Sequence, residues 1–429
     1  MSILKQNFFI SISKKIDFIL KIKYNRGMER IKIAIIGGGA SGLFLATALQ
    51  QNKNVVLFER GDRVGKKLSA TGNGQGNITN LAALETEYFS VKGKNALTQS
   101  VLNGAAVQDL YAYFQSLGVL LSADERGRVY PASRQASALT DALRFCVAKK
   151  GIDTRLSTRV YAIEKASGGF IVYAEEGAEG HKKSFFAEKV VLCVGGKAAK
   201  NFGSDGNGYA LAQKLGHTVT DLYPSLVQLK TDVTHTKTLK GIRVNDGGLT
   251  ALLPDGTRHS LRGDVIFTDY GVSGDAVFRM SAFIADKITA GVRLTVDFLP
   301  DITETEILET LQRKRVAFPD LAETELLFGI VNNQIGRAVL KRAKGNLCEA
   351  ARLVKAFDLT VTGSLGFDYA QVTKGGIPLA EVTDDLESRF AKGLYFTGEI
   401  LDVDGQCGGF NLQWAYSSAM RVARALEGV

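Results

Sequence analysis

Gly37-Gly38-Gly39-Ala40-Ser41-Gly42 satisfies G-x-G-x-x-G between a short apolar run, Ile31 to Ile36, and a helical stretch, Ala40 to Gln51. That spacing suits a diphosphate. The first glycine permits a tight turn, Gly39 lets backbone approach the phosphates, and Gly42 lets the helix pack closely on the strand. The helix start adds free N–H groups and the positive end of its dipole. Glu59 closes the next apolar run, Val55 to Phe58, 22 residues after Gly37, where a carboxylate accepts hydrogen bonds from a ribose hydroxyl. A carboxylate there would repel a 2′-phosphate, which argues against NADP in this turn and leaves NAD and FAD.

Two further segments bear on that choice. Gly65 to Asn80 is rich in glycines and amides, including Thr71, Gly72, Asn73, Gln75 and Asn77, and an ordinary NAD dehydrogenase has no obvious use for it. Near the other end, Gly393 to Phe396 reads as a strand running into Thr397-Gly398-Glu399. The chain continues through Gly408-Gly409-Phe410-Asn411-Leu412 into a helix to Ala425. A helix start at Gly409 to Leu412 could face an electron-rich flavin carbonyl. Gly195-Gly196-Lys197 follows the strand Val190 to Val194, yet no second G-x-G-x-x-G opens a helix there, so a separate stable NAD(P) domain is not expected.

Other chemistries find little support. Gly271-Val272-Ser273-Gly274-Asp275 lacks the second glycine of a nucleophile elbow, and Ser273 reads as a helix cap. Cys146, Cys193, Cys348 and Cys407 form no C-x-x-C pair, so neither a redox disulfide nor a zinc knuckle is expected, and a reducing, cytoplasmic setting fits. Cys407 lies within the flavin-facing motif but has no second thiol. His181, His217, His235 and His259 lack metal-ligand spacing and read as solvated loop or strand-end residues; no metal is expected. Trp414 and Tyr416 read as packing residues.

The formal charge of +9 is unevenly spread. Residues 1 to 30 hold seven Lys or Arg against Asp17 and Glu29, a net +5, leaving +4 for the rest and no extended phosphate-tracking surface. No nucleic-acid partner is therefore expected. Phe8 to Leu20 is interrupted by Lys14, Lys15 and Asp17, so it is not a membrane span, and it lacks the apolar core of a secretory signal. Residues 1–27 read as a basic tail, disordered or a mis-assigned start, with a surface-seeking amphipathic helix as the alternative.

Strand, helix, strand patterning runs through residues 28–222, with helices at Asn103 to Leu117 and Ala136 to Lys149 and strands at Val160 to Ile163 and Phe170 to Tyr173. This gives the first part of a nucleotide-binding domain. Residues 223–299 read as an inserted β-rich domain, 300–357 as a small helical subdomain, 358–376 as a returning β segment, and 377–429 as the second part of the nucleotide domain.

Together these segments resemble the BaiN-type NAD(P)/FAD-dependent oxidoreductases, the aminoacetone oxidase family FAD-binding enzymes, from Met28 to the C-terminus. The markers are the Gly37 loop, Thr71 to Asn80, Gly203 to Tyr209, Thr373-Lys374-Gly375-Gly376 and, most diagnostic, Gly398 to Ala415. The resemblance implies an α/β fold: a Rossmann-like flavoprotein of the two-dinucleotide-binding type, its FAD domain interrupted by the β and helical insertions. It implies FAD held by Gly37, Gly39, Ala40, Ser41, Gly42, Glu59, Arg60 and Lys67. From the later segments it adds Thr71, Gly72, Asn77, Thr79, Val160 through its backbone, Gly195, Gly376, Gly398, Glu399, Asp402, Gly408, Gly409, Asn411 and Leu412.

Asn73, Gln75, Thr373 and Lys374 are the implied flavin-face candidates, with no catalytic acid or base identified. NAD(P)H is implied as a transient electron donor and a small organic molecule as substrate. The chain departs from the family's commonest form at Gln75-Gly76, where Arg-Cys is usual, at Phe410, where Tyr is usual, and at Asp269 to Asp275. Alternatives of other classes are an RNA-modifying flavoprotein and a non-enzymatic FAD-binding or membrane-associated protein. Oligomeric state is left open.

Overall fold

The computed structural model describes residues 28–50, 54–82, 87–93 and 95–428; the readings of residues 1–27 lie outside these. An apolar run without alternation must be covered on both faces. Strand β1 (Glu29–Ile36) is of this kind, with Ile33 to Ile36 all buried. Helix α1 (Ala40–Ala48) carries the chain to β2 (Val55–Phe58), parallel to β1 with Ile33 opposite Val55 and Ile36 opposite Phe58. Helix α2 (Ala136–Lys149) returns it to β3 (Asp153–Arg155), parallel to β2.

A meander follows: β4 (Thr158–Ala166), β5 (Gly169–Glu176) and the long β6 (His181–Leu192). The first half of β6 pairs antiparallel with β5, while Phe185 to Leu192 run parallel to β1, giving the order β3-β2-β1-β6-β5-β4. Helix α3 (Asn207–Lys214) closes this stretch.

Six strands then form a closed barrel: β7 (Leu229–Thr231), β8 (Arg243–Leu252), β9 (Arg258–Phe267), β10 (Gly271–Ser273), β11 (Arg293–Asp297) and β12 (Phe357–Ser364), in the order β7-β10-β9-β8-β11-β12. Closure leaves no unpaired edge along the ring. Helix α4 (Asp275–Ile284) follows β10, and α5 (Glu304–Ala317), α6 (Asn333–Ala343) and α7 (Leu347–Lys355) lie between β11 and β12. Thr303 starts α5 with a reciprocal cap, its hydroxyl accepting from the Glu306 N–H at 3.2 Å and Glu306 accepting from the Thr303 N–H at 2.9 Å.

The chain re-enters the first sheet as β13 (Leu394–Phe396), parallel to β6, and ends in α8 (Phe410–Glu427). Helix α8 packs on α1, with Tyr416 edge-on to Phe44 at 5.4 Å between ring centres. Barrel and helices share a buried cluster around Phe267, Val296, Leu353 and Phe357, distinct from the one around Ile35, Phe44, Phe58 and Trp414.

Two sequence readings need correction. The helix expected at Asn103 to Leu117 is two helices, Ala96–Gly104 and Val107–Ser116, because Ala105 leaves the helical region, Ala106 is extended and the Ala106 N–H is taken by Asp109 at 2.8 Å. His217 is not solvated. It is buried against Phe390 and Phe396, with Nδ1 2.9 Å from Glu381 and Nε2 2.6 Å from Ser388, and burial lowers its pKa. A neutral imidazole with both nitrogens satisfied is readily buried. Among the described residues no helix is long and apolar enough to cross a membrane.

Candidate dinucleotide and active site

The turn after β1 is built by contacts that only glycine permits. Gly37 has φ +105°, donates its N–H to Phe58 at 2.8 Å, and would set a Cβ 2.5 Å from the Cys193 carbonyl oxygen. A Cβ on Gly42 would lie 2.0 Å from the Gly37 carbonyl oxygen. Gly39 differs: its backbone is ordinary, a Cβ there would meet nothing within 4 Å, and it lines the cavity. Helix α1 begins at Gly39 with no side-chain cap and no acidic residue in its first turn. Its leading N–H groups are therefore available to an anion.

At the end of β2, Glu59 is held rigidly, Oε2 accepting from the Gly38 N–H at 2.8 Å and Oε1 from the Gly61 N–H at 2.6 Å. Each oxygen keeps a lone pair for a ribose hydroxyl. The cavity beside these groups is about 820 Å³, in the upper part of the range of roughly 300–1,000 Å³ usual for small-molecule sites. It is continuous from the Gly37 turn to the barrel.

Arg60 is paired with Asp205 at 2.8 Å and with the Gly203 carbonyl. Lys67 pairs with Glu399 at 2.8 Å, and the other Glu399 oxygen accepts from the Thr373 N–H at 2.9 Å. The Thr373 hydroxyl accepts in turn from the N–H groups of Lys197 and Ala198, at 2.7 and 3.0 Å, tying the Gly195 turn to the Gly398 turn. Trp414 Nε1 donates to the Gly398 carbonyl at 3.1 Å and Ser418 accepts from the Gly398 N–H at 2.9 Å, so α8 anchors the same turn.

Most of the site residues read from the sequence meet on this one cavity. Its wall includes Gly37, Gly39, Ala40, Ser41, Glu59, Arg60 and Lys67, then Thr71, Gly72, Asn73, Gln75, Asn77, Val160 and Gly195, and finally Gly398, Glu399, Gly408, Gly409, Asn411 and Leu412. Six do not face it. Gly42 is closed against Gly37, and Thr79 bonds to Gln413 at 2.7 Å. Thr373 is buried behind the Gly195 turn, and Gly376 packs on the backbone of Ile400 to Asp402.

Asp402 is buried among Ser90, Val91 and Lys92, and Lys374 is buried with its ammonium 2.9 Å from Asp286. Thr373 and Lys374 are thus supports and not cavity groups. The Asn411 amide is committed to the Gly405 N–H and carbonyl, at 2.9 and 2.8 Å, leaving its backbone to the site. Gly409 starts α8 at φ +101°, and a Cβ there would point at the Thr79 backbone, 2.4 Å away, so its constraint comes from strand packing and not from a ring in the cavity.

Sequence reasoning missed the far wall. From the barrel side come Ile266, Ser273, Asp275 and Phe278, and from the strand Arg128–Pro131 come Arg128 and Tyr130, followed by Arg134. These residues form no motif along the chain, since folding alone brings them together. Cys407 lines the cavity, but burial pushes its thiol up to about 11, which leaves it protonated near neutrality.

An uncapped helix start behind an open glycine, a carboxylate fixed at the end of β2 and a second helix start across one long cavity fit a flavin dinucleotide, and the fold and site define a Rossmann-type flavoprotein of the oxidoreductase class. When bound, FAD supplies two-electron redox chemistry. Residues 31–425 match the HI0933-like protein Rossmann domain, and the chain belongs to this FAD-binding family.

A 3-dehydro-bile acid delta(4,6)-reductase of Clostridium scindens is 35% identical over 414 residues, covering 92% of this chain and 98% of the relative. A ribosomal RNA dihydrouridine synthase of Escherichia coli is 28% identical over 418 residues, covering 93% and 98%. Among solved structures, a flavocytochrome c3 fumarate reductase in its open conformation aligns with TM-score 0.49 and 15% identity over 96% of this chain and 81% of that one.

Proposed function

We propose that this chain is an FAD-dependent reductase that saturates a carbon–carbon double bond conjugated to a carbonyl in a small organic molecule, with NAD(P)H docking transiently as electron donor. The observation that carries the reading is the single cavity running from the Gly37 turn to an apolar chamber bordered by Leu226, Ile266, Phe278 and Val372. Gly39, Ala40 and Ser41 take the diphosphate through backbone N–H groups, Glu59 the ribose, and the Val160 backbone the adenine. The start of α8 at Gly409 stabilises negative charge on the ring system. Asn73 and Gln75, exposed on the wall, orient a carboxamide by hydrogen bonding, and the apolar chamber excludes water beside the reacting bond.

Both relatives carry names that describe removal of a double bond, one in a steroid skeleton and one in a pyrimidine. The apolar chamber and the modest +4 charge outside the tail favour the small molecule over RNA. A cytoplasmic setting belongs to the same proposal, supported by four free cysteines. The test is anaerobic titration of the full-length protein with NADH and NADPH, then turnover with steroid 4-en-3-ones and cyclohexenones beside a ribosomal RNA transcript. Flavin reduction followed by reoxidation with an enone is expected. Reoxidation by the RNA alone would transfer the proposal to the second relative's chemistry, and no reoxidation by either would end it.

A further inference from the structure

Most cations on the cavity wall are already neutralised: Arg60 by Asp205, Lys67 by Glu399, Arg128 by Asp124 and Arg243 by Asp264. Among the described residues Arg63 and Arg134 have no carboxylate in salt-bridge range. Arg63 belongs to the loop after Glu59, at the ribose end. Arg134 lies elsewhere, next to the 73–76 loop, where the Gly74 carbonyl accepts from the Ala136 N–H at 2.7 Å.

Three features mark Arg134 as placed for a ligand. Its backbone is left-handed at φ +54°, a conformation that non-glycine residues rarely adopt. Its guanidinium lies 4.1 Å from the centre of the Tyr130 ring, which orients the fork without consuming its donors. Tyr130 itself is almost fully buried and lines the cavity, and its hydroxyl has no hydrogen-bond partner among the described residues. Burial raises the phenol above its usual value, so it stays a donor. The next residue along this strand edge, Arg128, packs against Gly408 at the start of α8.

We infer that Arg134 and Tyr130 form an anion subsite that takes the carboxylate of an apolar organic acid whose body lies against Leu226, Ile266, Phe278 and Val372. A planar guanidinium matches a carboxylate through two parallel N–H bonds, and one unneutralised cation balances a monoanion. A phosphate dianion would find only half its charge met, because Arg128 is spent on Asp124. The subsite deepens the reductase reading and rests on it for the proximity of the flavin.

The test titrates the full-length, FAD-loaded protein with benzoate, benzamide and benzyl alcohol, read by flavin difference absorbance and by calorimetry. Benzoate is expected to bind about tenfold or more tighter than either neutral probe. Arg134→Gln should abolish that preference, Arg134→Lys should restore only part of it, and Tyr130→Phe should weaken benzoate a few-fold, with FAD occupancy unchanged throughout. A benzoate preference that survives Arg134→Gln overturns the inference. So does Arg134-dependent binding of ADP or inorganic phosphate that is tighter than that of benzoate. Colourless protein would sink the flavin reading instead, and calorimetry would still decide the subsite.

Discussion

Gly39 and Gly42 sit three residues apart in one motif but answer to different constraints, and substitution separates them. Gly42→Ala forces a Cβ against the Gly37 carbonyl oxygen at 2.0 Å, so it should destabilise the fold with or without cofactor. Gly39→Ala meets open space at an ordinary backbone conformation, so the apo protein should melt as wild type does. FAD affinity should nevertheless fall by about tenfold or more, because the methyl group occupies the path of the diphosphate. Calorimetric melting with FAD titration distinguishes the two. Wild-type FAD affinity in Gly39→Ala would remove the diphosphate from this turn.

Asp404 gives a second prediction at this scale. It is fully buried, with one oxygen 3.2 Å from the Ser225 hydroxyl and the other unpartnered, and burial raises it from 3.8 to about 8. The folded form therefore holds this proton more tightly than the unfolded chain does. Its contribution is full below about pH 4 and is lost as pH rises towards about 8. Asp404→Asn should raise the melting temperature at pH 8 by several degrees and change it little at pH 4. Equal shifts at both pH values would mean that the carboxyl is not protonated in the fold.

At the scale of elements, the start of α8 is fixed by Thr79. Gly409→Val would drive a branched side chain into the Thr79 backbone, separating the short strand Thr79–Asn80 from the helix that anchors the Gly398 turn. Thermal stability and FAD retention should fall together, by about 1–3 kcal/mol in stability. A stable variant that lost only FAD would instead put the flavin ring against this glycine. The strands β1, β2 and β13 and the helix α1 were legible because buried parallel strands are continuously apolar and glycine marks the turn between them. The break at Ala105 carried a signal in Asn103-Gly104, a helix-stop pair that ends the first helix, but a reading that began the helix at Asn103 ran through it.

At the scale of the molecule, the ligand chamber belongs to neither of the two large buried clusters: Leu226 and Val372 form a small cluster with Ala282, against which Phe278 and Cys407 pack. The Gly37 half of the cavity wall was legible in the chain because its residues cluster in short glycine-rich motifs. The chamber half was not. Tyr130, Arg134, Ile266 and Phe278 come from a strand, a turn, a barrel wall and a helix that only long-range folding brings together. Likewise Thr373 and Lys374 read as flavin-facing from sequence, although burial turns one to backbone N–H groups and the other to Asp286.

The central claim is that this cavity holds FAD. The full-length protein, purified without added cofactor, denatured and resolved by chromatography, should be yellow and release stoichiometric FAD. Release of FMN, or a colourless protein that added FAD does not reconstitute, would contradict the account.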